Sequence, residues 1–144
     1  MLPPLNEQGD LPAGIHAAEL AEIELRFGTG SPKRSRAMAA LRHLHELALR
    51  TGSLRSFYVF GSFVSSQAEP RDIDVVLIMD GTFQVEECPR ESRTLFSHAD
   101  AEARYGASVF WLRDRMLSKD AMNEFLLVWQ TRRDGNLRGI LEVA

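Results

Sequence analysis

Cysteine is nearly absent from this sequence: Cys88 is the only one among 144 residues. One thiol cannot form an internal disulfide or a cysteine-based zinc site, so a disulfide-bonded domain and a cysteine-ligated zinc domain are both excluded. Free cysteines mostly behave as small apolar residues, and we therefore expect Cys88 to be buried and unreactive.

Long apolar runs are also missing. The longest, residues 75–79 and 125–129, are far shorter than the roughly 20 residues of a membrane-spanning helix. The N-terminal stretch, MLPPLNEQGD, contains neither a basic start nor an apolar segment. We therefore expect no membrane insertion, no secretory signal and a cytoplasmic protein.

The sequence has no excess of positive charge, and its formal net charge at pH 7 is −3. Wrapping duplex nucleic acid requires a clear cationic excess, so that class of protein is disfavoured. The cations nevertheless cluster in two segments, one with Lys33, Arg34, Arg36, Arg42 and Arg50, the other with Arg132, Arg133 and Arg138. Most such clusters are solvated helix faces. The alternative is that they line the approach to a phosphate-bearing ligand.

What the sequence does contain is an ordinary globular composition, with 44% apolar and 26% charged residues. Its length indicates one domain, residues 1–144, with a self-sufficient core. Proline and glycine are frequent in residues 1–14, which we expect to form an extended lead.

Hydrophobic periodicity predicts helices at residues 15–27, 32–51, 90–104 and 119–130. Aromatic and β-branched runs predict strands at residues 57–60, 73–78, 107–112 and 137–143. This order of elements indicates an α/β fold in which helices cover a small mixed β-sheet.

The most informative segment is FYVFGSFVSSQAEPRDIDVVLIMD, residues 57–80. A strand leads directly into Gly61 and Ser62, and Asp72-Ile73-Asp74 opens the next strand. Side chains of a strand alternate, which places Asp72 and Asp74 on one face. Two neighbouring carboxylates repel each other unless a cation lies between them, and Mg²⁺ prefers such hard oxygen ligands. We therefore predict that Asp72 and Asp74 bind Mg²⁺ or Mn²⁺.

The Gly-Ser pair predicts a phosphate site beside that metal. Gly61 has no Cβ, so the backbone there can approach a phosphate closely. Ser62 is expected to open a short helix whose free N–H groups and hydroxyl bind an anion. Metal and anion sites at adjacent strand ends are what nucleotidyl transfer requires, since its catalysis is mostly positioning and charge neutralisation. The alternative interpretation is a turn glycine followed by two surface aspartates.

This segment resembles the signature of the nucleotidyltransferase superfamily related to DNA polymerase β, which includes the small MNT-type antitoxins and the kanamycin and lincosamide nucleotidyltransferases. That signature is a hydrophobic strand, a Gly-Ser pair, a spacer and an acidic-hydrophobic-acidic triplet. Residues 11–14, 19–28 and 135–140 also resemble conserved-looking segments of a family of small bacterial nucleotidyltransferase-like proteins. The resemblance implies a nucleotidyltransferase fold, a nucleoside triphosphate substrate and catalytic roles for Asp72 and Asp74.

One part of the superfamily's site is different in this sequence. Active members usually carry a third acidic residue on a later strand, where it shares the metals. The corresponding strand here is residues 107–112, and Ser108 occupies the position expected for that residue. A hydroxyl is a poor Mg²⁺ ligand and cannot act as a base near neutral pH. If the strand register differs, Asp100, Glu102 or Asp114 takes this role instead.

Three functions therefore stay open. The first is Mg²⁺-dependent nucleotidyl transfer from a nucleoside triphosphate to a protein, an RNA end or a small hydroxyl compound. The second is a degenerate protein that binds nucleotide or metal without turnover. The third is an interaction module, such as one half of a toxin–antitoxin or phage-defence pair. Leu127 and Val128 extend the apolar character of the last helix beyond one face, so we also expect a homodimer or a protein partner.

Overall fold

The structure, a computed structural model, describes residues 1–144, and its centre is one mixed five-stranded sheet. The strands are β1 (Ile15–Ala18), β2 (Leu54–Phe60), β3 (Ile73–Met79), β4 (Ala107–Arg113) and β5 (Ile140–Val143). They lie in the order β1-β5-β2-β3-β4. The pairs β1–β5 and β3–β4 are parallel, whereas β2 runs antiparallel to both β3 and β5.

Four α-helices pack around this sheet: α1 (Leu20–Phe27), α2 (Pro32–Arg50), α3 (His98–Tyr105) and α4 (Lys119–Trp129). Shorter 3-10 helical turns lie at Ser62–Val64, Val85–Glu87, Arg90–Phe96 and Asp114–Met116. The predicted α/β fold, a mixed sheet covered by helices, is therefore confirmed. None of the helices combines the length and the apolar character that a bilayer crossing requires.

The longest helix, α2, begins and packs as its sequence predicts. Ser31 caps it by accepting a hydrogen bond from the N–H of Arg34 at 3.1 Å, and Pro32 occupies the first turn, where its missing N–H costs nothing. Its buried stripe follows the helical spacing of the apolar residues, with Met38, Leu41 and Leu44 all at most 2% exposed.

The alternation of side chains along the strands gives the sheet two different faces. On β3, Ile73, Val75, Leu77 and Met79 belong to a core of 25 buried residues beneath α1, α2 and α3. The intervening residues face the other side, where the buried apolar cluster has only six members. Leu126 of α4 belongs to this smaller cluster, so α4 packs on the second face.

The prediction of one helix over residues 15–27 is wrong in its first third. Ile15–Ala18 form β1, which pairs in parallel with Ile140–Val143, and the helix begins only at Leu20. A four-residue strand is too short to show a period of two. Its pairing partner lies at the far end of the chain, so the tertiary contact overrides the local helical pattern.

Two other predicted elements are shorter than expected. Residues 90–104 are not one helix, because Arg90–Phe96 is a 3-10 turn and Ser97 then caps a new helix by accepting from the N–H of Asp100. The last strand begins at Ile140 rather than at residue 137. Residues 1–14 contain no helix or strand, but Leu2 and Leu11 are buried in the main core, as is Cys88.

Candidate functional site

Gly61 lies immediately after β2, beside the carboxylate of Asp74. Phe60 is the strand partner of Asp74, and the backbone of Gly61 has a φ of 84° and a ψ of −161°. This region is open essentially to glycine alone. A Cβ at Gly61 would also lie 2.3 Å from Oδ2 of Asp74, far closer than two atoms can approach. The backbone angles therefore require glycine here, and a Cβ would in addition displace the Asp74 carboxylate.

Ser62 closes the loop that connects Gly61 to Asp72. Its side-chain oxygen accepts a hydrogen bond from the backbone N–H of Arg71 at 3.0 Å, across nine residues. Its carbonyl accepts from the hydroxyl of Ser65 at 2.6 Å. The predicted helix that Ser62 opens is a single 3-10 turn, Ser62–Val64. The two ends of the loop are thus held together at the point where β2 ends and β3 begins.

A cavity of about 470 Å³ opens at this end of the sheet. Its wall consists of Gly61, Ser62, Gln67, Arg71, Asp74, Arg132, Arg133, Asp134 and Arg138. None of these side chains is apolar, and four arginines face two aspartates. In a chain whose net charge is −3, this is a local excess of positive charge that suits an anionic ligand.

The arginines of this cavity are held to different degrees. Arg132 forms an ion pair with the buried carboxylate of Asp10, and its Nε lies 3.7 Å from Asp134. Arg138, by contrast, has a buried Nε without a hydrogen-bond partner. This nitrogen is closed to solvent and so to a ligand in the cavity, and Arg138 can act on an anion only through its charge and the rest of its guanidinium.

Asp74 is the acidic group at the base of the cavity. The pKa of its carboxyl is raised to about 6, mainly by burial and secondly by the negative charge of Asp72. Arg138 and the hydroxyl of Ser108 lower the same pKa, but by less. A carboxyl held in this way gains from any cation that binds it, because the cation offsets both the burial and the repulsion.

Asp72 is not where the sequence analysis places it. The prediction that it opens the strand is wrong, because the β3–β4 ladder begins at the pair Ile73–Ala107 and Asp72 lies in the bend before it. Its exposed side chain lines a separate depression with Lys33, Arg36 and Gly106. Asp72 and Asp74 are close enough for their charges to interact, yet they do not line one cavity.

Ser108 lies on β4 directly opposite Asp74. This register decides between the residues considered for the third carboxylate. Asp114 follows the other end of β4, where it lies 3.6 Å from Arg55, and Asp100 and Glu102 are exposed on α3. None of these three lines the cavity.

The donor set limits what cation this site can hold. No group of three or more His, Cys, Asp or Glu side chains is close enough together to hold a metal ion. Mg²⁺, however, is commonly bound by one or two carboxylates, with phosphate oxygens and waters as its other ligands. Asp74, which lines the arginine-rich cavity, and Asp72, which lies near it but outside that cavity, fit this arrangement only if a phosphate-bearing ligand completes it.

The structure brings Gly61, Ser62 and Asp74 together, as the signature predicts, and it adds residues that the signature does not contain. Arg132, Arg133 and Arg138 come from the second cationic segment, for which a phosphate-lining role is the alternative interpretation. Arg71 and Gln67 also line the cavity, but they are not among the site residues predicted from the sequence. Arg71 could have been predicted only from its position directly before the Asp-x-Asp triplet.

Comparison with known proteins gives a family but no named relative. Among curated proteins and solved structures there is no match to this chain. Residues 3–144 match the family of unknown function DUF6932. That match extends over nearly the whole chain, including every residue of the cavity. The chain therefore belongs to the family DUF6932.

Proposed function

We propose that this protein binds a nucleoside triphosphate by its polyphosphate, together with Mg²⁺ or Mn²⁺ held by Asp74 and Asp72. The observation that carries this proposal is the cavity itself, in which four arginines meet Gly61, Ser62 and Asp74. Arginine forks match the geometry of phosphate oxygens, and their hydrogen bonds to an ionised group are among the strongest in proteins.

The lining of the cavity favours phosphate over base as the recognised part of the ligand. No aromatic or aliphatic side chain lines it, so no aromatic ring is available for a base to stack on. We expect ATP, GTP, CTP and UTP to bind with dissociation constants within a few-fold of one another. Tripolyphosphate should compete with all four, whereas adenosine should not bind.

The divalent cation supplies charge neutralisation on the phosphates when it is bound. The chain's own residues contribute the rest. Asp74 gains an opposite charge that offsets its burial, Arg138 adds positive charge to the cavity wall, and Gly61, without a Cβ, leaves room for the Asp74 carboxylate. Binding of metal and triphosphate should therefore be strongly cooperative.

Binding without rapid turnover is the form of the activity that Ser108 favours. Ser108 faces Asp74 across the β3–β4 ladder, and a serine hydroxyl neither binds Mg²⁺ well nor accepts a proton near neutral pH. We expect very slow nucleotidyl transfer or none. Ser108→Asp should tighten Mn²⁺ binding in the presence of triphosphate and destabilise the metal-free protein through repulsion with Asp74.

Calorimetric titration of the whole chain with each nucleoside triphosphate, with and without Mn²⁺, tests the proposal. Arg138→Gln and the double variant Asp72→Asn with Asp74→Asn should each weaken Mn²⁺–triphosphate binding by about tenfold or more, the effect of losing one charged hydrogen bond. Arg42→Gln, an exposed cation on α2 paired with Glu24, is the matched control and should bind as the wild type does. If the wild type and the aspartate double variant bind Mn²⁺ and triphosphate equally well, the proposed metal site is wrong.

A further inference from the structure

Arg34 is a buried arginine that the candidate site does not contain. It lies in the first turn of α2 and is 7% exposed. No carboxylate forms an ion pair with it. Its guanidinium instead donates to four backbone carbonyls, those of Phe27 at 3.0 Å, Phe63 at 2.8 Å, Ser65 at 2.7 Å and Gln67 at 2.5 Å.

Three of those four carbonyls belong to the loop between Ser62 and Asp72. The only regular structure in this loop is the turn Ser62–Val64, so its backbone cannot satisfy these carbonyls by itself. The fixed fork of a guanidinium can reach several oxygens at once, which the single nitrogen of lysine cannot do. An apolar residue at position 34 would leave the carbonyls of Phe63 and Ser65 buried without a partner.

The same loop supplies part of the cavity wall. Gln67, whose carbonyl Arg34 holds, lines the cavity, and so do Ser62 and Arg71 at the two ends of the loop. The loop also rests on the N-terminal lead, since the N–H of Ser66 donates to the carbonyl of Gly9 at 2.8 Å. Arg34 itself does not reach the cavity, so any effect it has on a ligand passes through this loop.

We infer that Arg34 is a positioning residue that holds residues 63–67 against α2 and thereby sets the places of Ser62, Gln67 and Arg71 in the cavity wall. The part of this inference that concerns ligand affinity rests on the proposed function. The part that concerns the loop does not, and it can be measured without any ligand.

The loop is tested by amide hydrogen exchange of Arg34→Met and Arg34→Lys, with Arg42→Met as the control on the same helix. The reporters are the N–H groups of Ser66 and Arg71, which donate to Gly9 and to Ser62 respectively. We expect both to exchange at least tenfold faster in Arg34→Met, with a smaller increase in Arg34→Lys, while amides of β3 keep their wild-type rates. An equal increase throughout the sheet would mean that Arg34 only stabilises the core, and would overturn the inference.

Affinity for tripolyphosphate with Mn²⁺ gives the second readout. Arg34→Met should weaken binding at least tenfold, and Arg34→Ala should recover part of its lost affinity when methylguanidinium is added, because the freed space and carbonyls accept it. Arg42→Met should keep the wild-type affinity, and methylguanidinium should not change it. If Arg34→Met does not fold, Arg34→Lys carries both measurements, since one ammonium cannot replace four hydrogen bonds.

The two proposals fail in different ways. If the wild type binds neither tripolyphosphate nor any nucleoside triphosphate, the proposed function is wrong, and hydrogen exchange alone decides the role of Arg34. If the wild type binds tripolyphosphate, and Arg34→Met and Arg34→Lys bind it as tightly as the wild type does, the proposed function stands and the positioning role of Arg34 is wrong.

Discussion

The two faces of the sheet differ in how completely they are covered. On one face, α1, α2 and α3 enclose a core of 25 buried residues. On the other, α4 covers a cluster of six, and the end of the sheet beyond α4 is left to Asp74, Ser108 and the arginines. The same strands build both faces, because consecutive residues of a strand point in opposite directions.

This difference assigns separate tasks to alternate residues of one strand. Val75 and Leu77 of β3 stabilise the fold, whereas Asp74, between Ile73 and Val75, lines the candidate site, and its raised pKa is a cost in stability near neutral pH. Shifting β3 by one residue would exchange the two sets and bury the carboxylate in the main core. The covered face therefore supplies the stability that allows the open face to hold a half-buried acid and an unpartnered arginine nitrogen.

We expect the largest changes in the free energy of unfolding when one leucine on each face of the sheet is truncated to alanine. Leu41→Ala, in the main core at 0% exposed, should lower the free energy of unfolding by about 4 kcal/mol. Leu126→Ala, beneath α4 at 6% exposed, should cost about 2 kcal/mol, because water can enter the smaller cluster more easily. Urea unfolding measures both. Equal costs would show that the two faces contribute alike and would break the comparison.

Gly61→Ala should lower the free energy of unfolding by about 2–3 kcal/mol, less than Leu41→Ala, because the backbone conformation there is open essentially to glycine. The added Cβ would also meet Oδ2 of Asp74. Gly52→Ala is the control, since Gly52 has a φ of 72° and nothing within 4 Å of the added Cβ. It should cost about 1 kcal/mol. Combining Gly61→Ala with Asp74→Ala should recover the part of the loss that comes from the contact, and strict additivity of the two changes would contradict the packing described for Gly61.

The cost of Asp74 should appear as a pH dependence of stability. Its folded pKa of about 6 lies above the ordinary value of 3.8, so the native state binds the proton more tightly than the unfolded state does. Unfolding free energy should therefore fall as pH rises from about 4 to about 6 and stay lower above that range. After allowance for solvent screening of this partly exposed group, we expect a fall of the order of 1 kcal/mol.

Asp74→Asn should remove this decrease in unfolding free energy with rising pH. Measured in EDTA, the variant should therefore be more stable than the wild type at pH 7.5 and no more stable at pH 4. Asp134→Asn is the contrasting variant. The backbone N–H of Asn136 lowers the pKa of Asp134, so this carboxylate stabilises the native state above its ordinary pKa and loses that contribution in acid. A parallel response of the two variants would mean that burial is not what sets the pKa of Asp74.

The strand–Gly-Ser–strand segment could be predicted because its signals are local. Gly61 and Ser62 directly follow the aromatic and β-branched run of β2, and the alternation of β3 places Asp74 opposite the main core. The start of β4 could be predicted too, from the Gly106 break, but only the pairing with β3 decides that Ser108 lies opposite Asp74.

What could not be predicted depends on contacts between distant segments. β1 forms because Ile15–Ala18 meet Ile140–Val143, and nothing near residue 15 records that partner. Arg34 belongs to a cationic cluster that usually indicates a solvated helix face, yet it is buried because carbonyls some 30 residues away need donors. The displacement of Asp72 from the cavity follows from where the β3–β4 ladder begins, which only the pairing itself determines.

The smallest effect on stability is expected on the outer side of α4, where Leu127 is 46% and Val128 is 61% exposed. We propose that these two residues contribute to a contact with a second copy of the chain or with a protein partner, since exposed apolar side chains beside each other often mark an interface. Replacing both with glutamate should change the free energy of unfolding by no more than about 0.5 kcal/mol, because neither side chain is buried in the monomer. The mass measured by light scattering after size exclusion should then fall from that of a dimer to 16.2 kDa, while Leu25→Glu, at an even more exposed position on α1, leaves the mass unchanged. A wild-type mass of 16.2 kDa at micromolar concentration would rule out the homodimer and leave α4 as a helix that simply covers the second face.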